Sequence, residues 1–445
     1  MSGNNRNQNH TSRRKKLLFV GEGVTMAHVL RPLALARAMD RSAFEPVFAC
    51  DMRYRSLAVG EGLPCEPLPC LPSETFLKRL DRGAPLYTAR ELRARVRDDV
   101  RLIARTKPDA IIGDFRISMG ISAELCNVPY LALSNLHWSP NVRLPVPVPE
   151  HPLVRRLGVK WGGRIITGMM PFFFRLQALG FNRVRREYGL APVGGRGAPE
   201  VYTRGTRTLY ADIPDLYGSL PLSGRERCIG PVLWVPPMDL PVWWNDLPTT
   251  RPTVWIANGS SGNAMAMSEA AGALAKAGWT VMVSTAGRMP KPEGTYAARF
   301  IPGRAASERA DLIVCNGGSA QAYQALACGK PILGLPCNMD QYFTMGGIER
   351  QGAGRLLRSG CATANTIRDL AQAILKDESM RRAAERMARS IRACDPAIRL
   401  ATVLDELFAA GSLAFDRTPI TERSATANAW LASQPTCPTH ALPAK

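Results

Sequence analysis

Paired cysteines, clustered histidines and long apolar runs are all missing from this chain. Its eleven cysteines include no Cys-x-x-Cys pair, and there are only five histidines. That pattern builds neither a zinc cage nor a disulfide framework, and it suits a reducing cytoplasm. No stretch approaches the ~20 apolar residues of a membrane span. The best candidate, 165–174, is interrupted by Gly168 and Pro171. Near the start only 17–20 are continuously apolar, too few for a secretory core despite the preceding Arg13, Arg14, Lys15 and Lys16. Acid is scarce too: 37 Asp and Glu stand against 57 Lys and Arg, a net charge of +20. No basic-aromatic signature of an RNA- or DNA-binding module accompanies that charge, so no nucleic-acid partner is expected.

What is present is globular. With 445 residues and 46% hydrophobic content, the chain can form two domains, each with its own core. The most patterned stretch is 311–345. Apolar 312–314 reads as a buried strand, broken by Asn316-Gly317-Gly318. An Ala-rich helical run, 319–328, stops at Gly329, and 332–335 makes a second strand ending at Pro336. Strand, glycine turn, helix and strand form a βαβ unit of a parallel sheet. Two glycines let backbone N–H groups approach a phosphate, and the helix N-terminus adds partial positive charge. Asp340-Gln341 follows at the carboxyl edge of the sheet, where ligands bind, and this pair suits sugar hydroxyls. Two glycines alone would favour an ordinary βα turn.

The stretch resembles the donor-sugar signature of the UDP-glycosyltransferase superfamily, the macrolide, plant and animal enzymes of GT-B fold. Gly317-Gly318, Ala325-Leu326, Gly329, Pro331, Pro336 and Asp340-Gln341 fall in register without a gap. Asn316 stands where the family usually has a phosphate-binding His, and Gln324 where it often has a ribose-binding Glu. Asn can still donate to a phosphate oxygen, and Gln can still bond a ribose hydroxyl. The resemblance implies an α/β protein with two Rossmann-like domains, parallel sheets facing across a cleft, and a C-terminal helix crossing back. It implies a UDP- or dTDP-sugar donor held by Ser260, Ser261, Pro302, Asn316, Gly317, Gly318, Gln321 and Gln324, with Asp340 and Gln341 on the sugar. The chain has no Asp-x-Asp, the motif by which many other transferases hold a metal on the diphosphate. Helix dipole and backbone N–H groups would then meet the leaving charge, with no metal and no bound cofactor.

The N-terminal half offers two readings. Residues 17–21 read as a strand and 28–40 as a helix with Pro32 in its first turn, where no N–H bond is lost. The loop between them, from Gly21-Glu22-Gly23 to Ala27, nearly matches a dinucleotide fingerprint, and strand 46–50 ends at Asp51. That favours an NAD(P)- or flavin-dependent oxidoreductase, which leaves 311–345 unexplained. In the glycosyltransferase reading, His28 falls at the histidine of the family's Gly-His-x-x-Pro segment, although Arg31 holds the proline's place. There the family supplies its catalytic base, and a neutral imidazole can take a proton from an attacking hydroxyl. Asp114, ending strand 109–114, matches the carboxylate that orients the base. A packed histidine and a helix-capping aspartate are the structural alternatives.

Asn135, His137 and Trp138 in the 134–140 loop are candidates for contact with a small, lipophilic acceptor. Between His151 and Leu190 stand seven Arg and one Lys against one Glu, interleaved with Trp161, Phe172 and Phe181. This segment reads as a solvated helix with a core stripe, or as a basic aromatic surface for peripheral contact with the inner membrane face. The expected order is a disordered basic arm (1–15), an acceptor domain (16–234) and a linker with five prolines (235–252). A donor domain (253–394), a crossing helix opened by Asp395-Pro396 (395–411) and a polar tail (412–445) follow. The function implied is inverting transfer of a sugar to a hydroxyl. A non-catalytic nucleotide-sugar-binding protein is the alternative that Asn316 and Gln324 raise and that His28 and Asp114 oppose.

Overall fold

The computed structural model describes residues 13–150, 152–218, 221–259 and 261–409. Most of the expected arm, the tail from Ser412 and the candidate Ser260 lie outside them. Seven parallel strands form the first sheet: β1 (Lys15–Gly21), β2 (Phe44–Cys50), β3 (Cys65–Pro67), β4 (Ala110–Asp114), β5 (Tyr130–Ser134), β6 (Arg207–Tyr210) and β7 (Glu226–Cys228). Their order is β3-β2-β1-β4-β5-β6-β7. Six parallel strands form the second: β8 (Thr253–Ala257), β9 (Thr280–Ser284), β10 (Tyr296–Ala298), β11 (Leu312–Cys315), β12 (Ile332–Gly334) and β13 (Gly354–Leu356), ordered β10-β9-β8-β11-β12-β13. The strands are short, and the central ones (β1, β4, β5, β8 and β11) are mostly apolar, as strands buried on both faces must be.

Helices fill the crossovers. In the first half they are α1 (Ala27–Ala38), α2 (Arg55–Gly60), α3 (Ser73–Asp81), α4 (Ala89–Thr106), α5 (Met119–Cys126), α6 (Pro152–Glu187) and α7 (Ala198–Tyr202). In the second they are α8 (Ala264–Lys276), α9 (Gly303–Arg309), α10 (Ser319–Ala327), α11 (Met339–Arg350), α12 (Ala364–Lys376), α13 (Glu378–Arg392) and α14 (Pro396–Ala409). Residues 235–252 carry only the short turn Trp244–Asp246. Asp395 accepts from the N–H groups of Ala397 and Ile398 and starts α14. That helix buries Leu400, Val403, Leu404 and Leu407 among Leu17, Phe19 and Val29 of the first half. Each such side chain contributes about 1.5–3 kcal/mol on full burial, so the last helix of the second half is fastened to the first.

Two local features depart from expectation. Pro32 sits beyond the first turn of α1, so the helix gives up the bond to the carbonyl of His28. α6 is one long element broken only at Gly158, whose φ of 76° lies in the left-handed region; it continues through Pro171. Among the described residues no helix is long and apolar enough to cross a membrane.

In each sheet the strand order reverses beside the first strand, between β1 and β4 and between β8 and β11. Ligands of open α/β sheets bind outside the carboxyl ends of the strands at such a switch point. His28 follows β1, Asp114 ends β4, Gly259 follows β8, and Asn316 follows β11. The candidate residues therefore sit at the two switch points.

Candidate active site

The Gly21–Gly23 loop is consumed by packing. A Cβ at Gly21 would come within 2.9 Å of the Val29 backbone, and one at Gly23 within 3.0 Å of Asp51. The Gly23 N–H donates to Cys70 Sγ at 3.1 Å. Glu22 is buried and accepts from Arg116 at 2.8 Å, and Arg116 in turn binds Asp99 of α4. Asp51 is held by Arg53 through N–H and Nε. The glycines serve close helix–loop contact, and the acid that would meet a dinucleotide ribose is already paired.

His28 is the second residue of α1. Its Nδ1 lies 2.8 Å from Asp114 Oδ1. A carboxylate only accepts, so Nδ1 carries the proton and Nε2 presents a lone pair. Nε2 makes no hydrogen bond with a described residue, and the side chain is 20% exposed where Asp114 is 1%. The imidazole stacks on Phe115, with ring centroids 4.6 Å apart and planes at 14°. Phe115 has φ 58°, a left-handed conformation that costs a bulky residue about 1–3 kcal/mol. That strain places an aromatic plate directly after the carboxylate.

Arg31, the residue in place of the family proline, is buried and forks onto Asp114: Nε to Oδ2 at 2.6 Å and Nη2 to Oδ1 at 2.9 Å. Burial opposes its charge, but the Asp114 carboxylate outweighs burial and holds the guanidinium above its ordinary pKa. Its Nη1 donates to Asn135 Oδ1 at 2.9 Å, and Asn135 Nδ2 donates to Asp212. Asp212 also accepts from the Leu136 N–H and, across the cleft, from Tyr323 Oη of α10 at 2.7 Å. Asn135 therefore has both amide ends occupied beneath Arg31.

His137 and Trp138 lie against the opposite half. His137 is buried, with Nδ1 at 2.9 Å from Tyr217 Oη and Nε2 at 2.7 Å from Asp340 Oδ1. Trp138 Nε1 donates to the same oxygen at 3.1 Å. Burial raises the Asp340 pKa, but His137 and the Trp138 N–H overcome it and hold the carboxyl at about 2. Its Oδ2 makes no hydrogen bond within the described residues, and the side chain is 42% exposed. An aromatic wall joins the two ends: Phe115 meets Tyr202 at 5.3 Å, Tyr202 meets Trp138 at 5.0 Å, and Trp138 meets Phe343 at 6.0 Å.

Two turns close around each other in the second half. Asn316 is buried and accepts the Gly318 N–H at 3.0 Å. A Cβ on Gly259 would lie 2.9 Å from Asn316 Nδ2 and 3.1 Å from Gln321 Oε1, so these two side chains converge there. Gly317 has φ 79°, and a Cβ on it would strike Met345. Gln341 is buried, accepting from the Cys337 N–H and donating to Ser261 Oγ at 3.1 Å; it ties the turns together. Gln324 lies one turn beyond Gln321 on α10 and packs on Gly303, beside Pro302. Asn258, fully buried in the turn after β8, has neither amide atom hydrogen bonded to a described residue. Among the described residues no cluster of His, Cys, Asp and Glu could hold a metal. The sequence reading missed Phe115, Tyr202, Asp212 and Tyr323, and had Asn258 only as the first residue of a glycine turn; Arg31 was visible only as a departure from the family pattern.

No family model matches the chain. It is 39% identical over 382 residues to a PGL/p-HBAD biosynthesis glycosyltransferase of Mycobacterium tuberculosis, covering 85% of this chain and 89% of that protein. It is 38% identical over 380 residues to a PGL/p-HBAD biosynthesis rhamnosyltransferase of Mycobacterium bovis BCG, covering 85% and 84%. The solved spinosyn rhamnosyltransferase SpnG superposes with a TM-score of 0.65 at 19% identity, over 87% of this chain and all of that one. The glycosyltransferase VinC in complex with dTDP superposes with a TM-score of 0.61 at 17% identity, over 87% and 98%. The fold is GT-B, and the chain belongs to the family of the PGL/p-HBAD biosynthesis glycosyltransferases.

Proposed function

We propose that the protein transfers a sugar from a UDP- or dTDP-sugar to a hydroxyl of a small, lipophilic acceptor, in one displacement with inversion and without metal. The observation that carries this is the 2.8 Å contact of His28 Nδ1 with Asp114, which leaves Nε2 as the unpaired base. The acceptor oxygen attacks the anomeric carbon as its proton passes to Nε2. The bond from that carbon to the β-phosphate oxygen breaks, and the electron pair leaves on the diphosphate. Asp114 steadies the imidazolium while Arg31 fixes the carboxylate. The N–H groups of Ser319, Ala320 and Gln321 in the first turn of α10, which has no side-chain cap, are suited to meet the diphosphate charge, and the chain has no Asp-x-Asp to hold a metal there. Asp340 Oδ2 is available to a sugar hydroxyl. The Phe115–Tyr202–Trp138 wall suits an aromatic or lipidic acceptor. Ten free thiols among the described residues fit a cytoplasmic site of action.

Thermal unfolding with a nucleotide panel and chelator tests the donor. UDP or dTDP at a hundred times its dissociation constant should stabilise by roughly 2.7 kcal/mol without metal, and NADP should not. Stabilisation by NADP alone, or only with added divalent metal, would overturn the donor assignment. The anomeric configuration of the product, read by NMR against that of the donor, tests inversion.

A further inference from the structure

α6 carries a surface that the transfer reaction does not use. Trp161, Ile165, Phe172 and Leu179 are 62%, 46%, 60% and 58% exposed. At ~100° per residue these four fall within about 40° of one another, a stripe roughly 27 Å long at 1.5 Å per residue. Lys160, Arg164 and Arg175, all exposed, follow one edge of it. The Arg164 guanidinium lies 5.4 Å from the Trp161 ring centre. From 152 to 186 the sequence contains no Asp or Glu. The other side of the helix is ordinary core: Ala178, Phe181 and Val184 are buried. A large apolar stripe left in water is costly, and soluble surfaces rarely keep one without a use.

We propose that this face of α6 docks the protein on an anionic membrane surface. The stripe enters the lipid boundary while the flanking Lys and Arg meet acidic headgroups, the arrangement of an interfacial amphipathic helix. Charge decides the occupant: a second copy would bring an equally basic face against this one, whereas an anionic bilayer complements both features. Trp161 beside Arg164 matches an interface that is apolar on one side and wet on the other. The inference rests on the helix surface alone and stands whether or not the transfer mechanism is as proposed. If it is, docking brings a lipid-borne acceptor close to the cleft, because Phe174, on the opposite side of α6, meets Trp138 at 6.1 Å.

The test is cosedimentation of the full chain with phosphatidylcholine vesicles, with and without phosphatidylglycerol, at two salt concentrations. Binding should require phosphatidylglycerol and weaken with salt. Trp161→Ser with Phe172→Ser should lower partitioning by about a hundredfold, and Arg164→Gln with Arg175→Gln by roughly fivefold per charge. Arg381→Gln with Arg389→Gln on α13 serves as the control for bulk charge and should change little. Turnover of a water-soluble alcohol acceptor should be unchanged in all three, which separates docking from catalysis. Leu179→Ser replaces the aromatic pair if that variant unfolds. Absence of binding to anionic vesicles overturns the proposal, as does equal loss in the α13 control. Concentration-dependent dimerisation abolished by the aromatic pair, without vesicle binding, would assign the stripe to self-association and overturn it as well.

Discussion

Beside β1 and β4 the polar groups answer one another: His28, Asp114, Arg31, Asn135 and Asp212 form one continuous chain of hydrogen bonds. Beside β8 and β11 they do not. Asn258 is buried with both amide atoms unpaired among the described residues, while Gly259 and Gly317 keep the backbone bare of side chains. The first arrangement is finished before any substrate arrives. Its geometry is set by packing and by a buried ion pair, so a base held this way loses little in reorganisation when the proton moves. The second tolerates an unmet polar group that costs about 1–3 kcal/mol when buried. A cost retained in the folded state fits a group that finds its partner in a ligand.

The largest effect should come from the base. His28→Ala should lower the chemical rate by roughly 10²–10⁴-fold, the range for general-base catalysis. Affinity for the free nucleotide should hardly change, since the proposed nucleotide site lies in the other half. An alcohol acceptor must be used, because an acidic phenol needs less help. Full turnover in the alanine variant would move the base elsewhere. His137 is a poor substitute, because both of its ring nitrogens are already engaged.

Arg31 tests whether the finished half is finished for a reason. The guanidinium takes up much of the Asp114 charge, which would otherwise stabilise the imidazolium of His28. Arg31→Gln loses the fork that holds the carboxylate in line with the ring. The chemical rate on an alcohol acceptor should therefore fall, by less than in His28→Ala, while affinity for the free nucleotide holds. Stability should fall by about 3–5 kcal/mol to the extent that Asp114 is left buried and unpaired. Arg31→Lys should recover part of the stability but not the fork. An unchanged rate would reduce Arg31 to a packing role.

Asp340 bridges the halves and should show an intermediate effect. Asp340→Asn should cost the sugar donor about 1.5–3 kcal/mol, the worth of a hydrogen bond to a charged group, and leave free nucleotide binding nearly intact. The carboxyl is also lowered from 3.8 to about 2 in the folded protein. A depressed acid contributes stability above its unfolded pKa and loses it as pH falls through the folded one. The stability gap between wild type and variant should thus close between pH 3.8 and about 2. It should be no more than about 1 kcal/mol, because solvent screens a side chain this exposed. A gap that persisted below that window would come from packing.

Strand–turn–helix punctuation made both sheets legible, because apolar runs bounded by glycine and proline are local signals. His28 and Asp114 could be singled out as candidates because one follows a strand and the other ends one. What paired them, the β1–β4 register that sets Gly21 opposite Asp114, is a property of the sheet. Arg31 looked like a lost proline because sequence shows a residue's type and not the carboxylate it meets 83 positions away. Gln341 and Asn135, expected to meet ligands, are hydrogen bonded within the protein. A buried amide and a ligand-facing amide have the same sequence signature, and only the count of satisfied atoms separates them.

That count yields the smallest prediction and the sharpest contrast between the halves. Asn135→Ala strips a partner from both Arg31 and Asp212, and should lower stability by about 1–3 kcal/mol for each group left unpaired. Asn258→Ala removes an amide that has no partner to lose. The relief of an unmet buried polar group offsets the lost packing, so the ligand-free melting temperature should hold or rise, a change within about 1 kcal/mol. The stabilisation gained from UDP or dTDP should shrink in the same variant, because the amide that a bound nucleotide would satisfy is gone. Opposite responses of the ligand-free and nucleotide-bound states would mark Asn258 as a ligand group. If Asn258→Ala instead unfolds as easily as Asn135→Ala, or keeps the full nucleotide shift, the unpaired amide is a packing accident and the two halves differ less than their hydrogen bonds suggest.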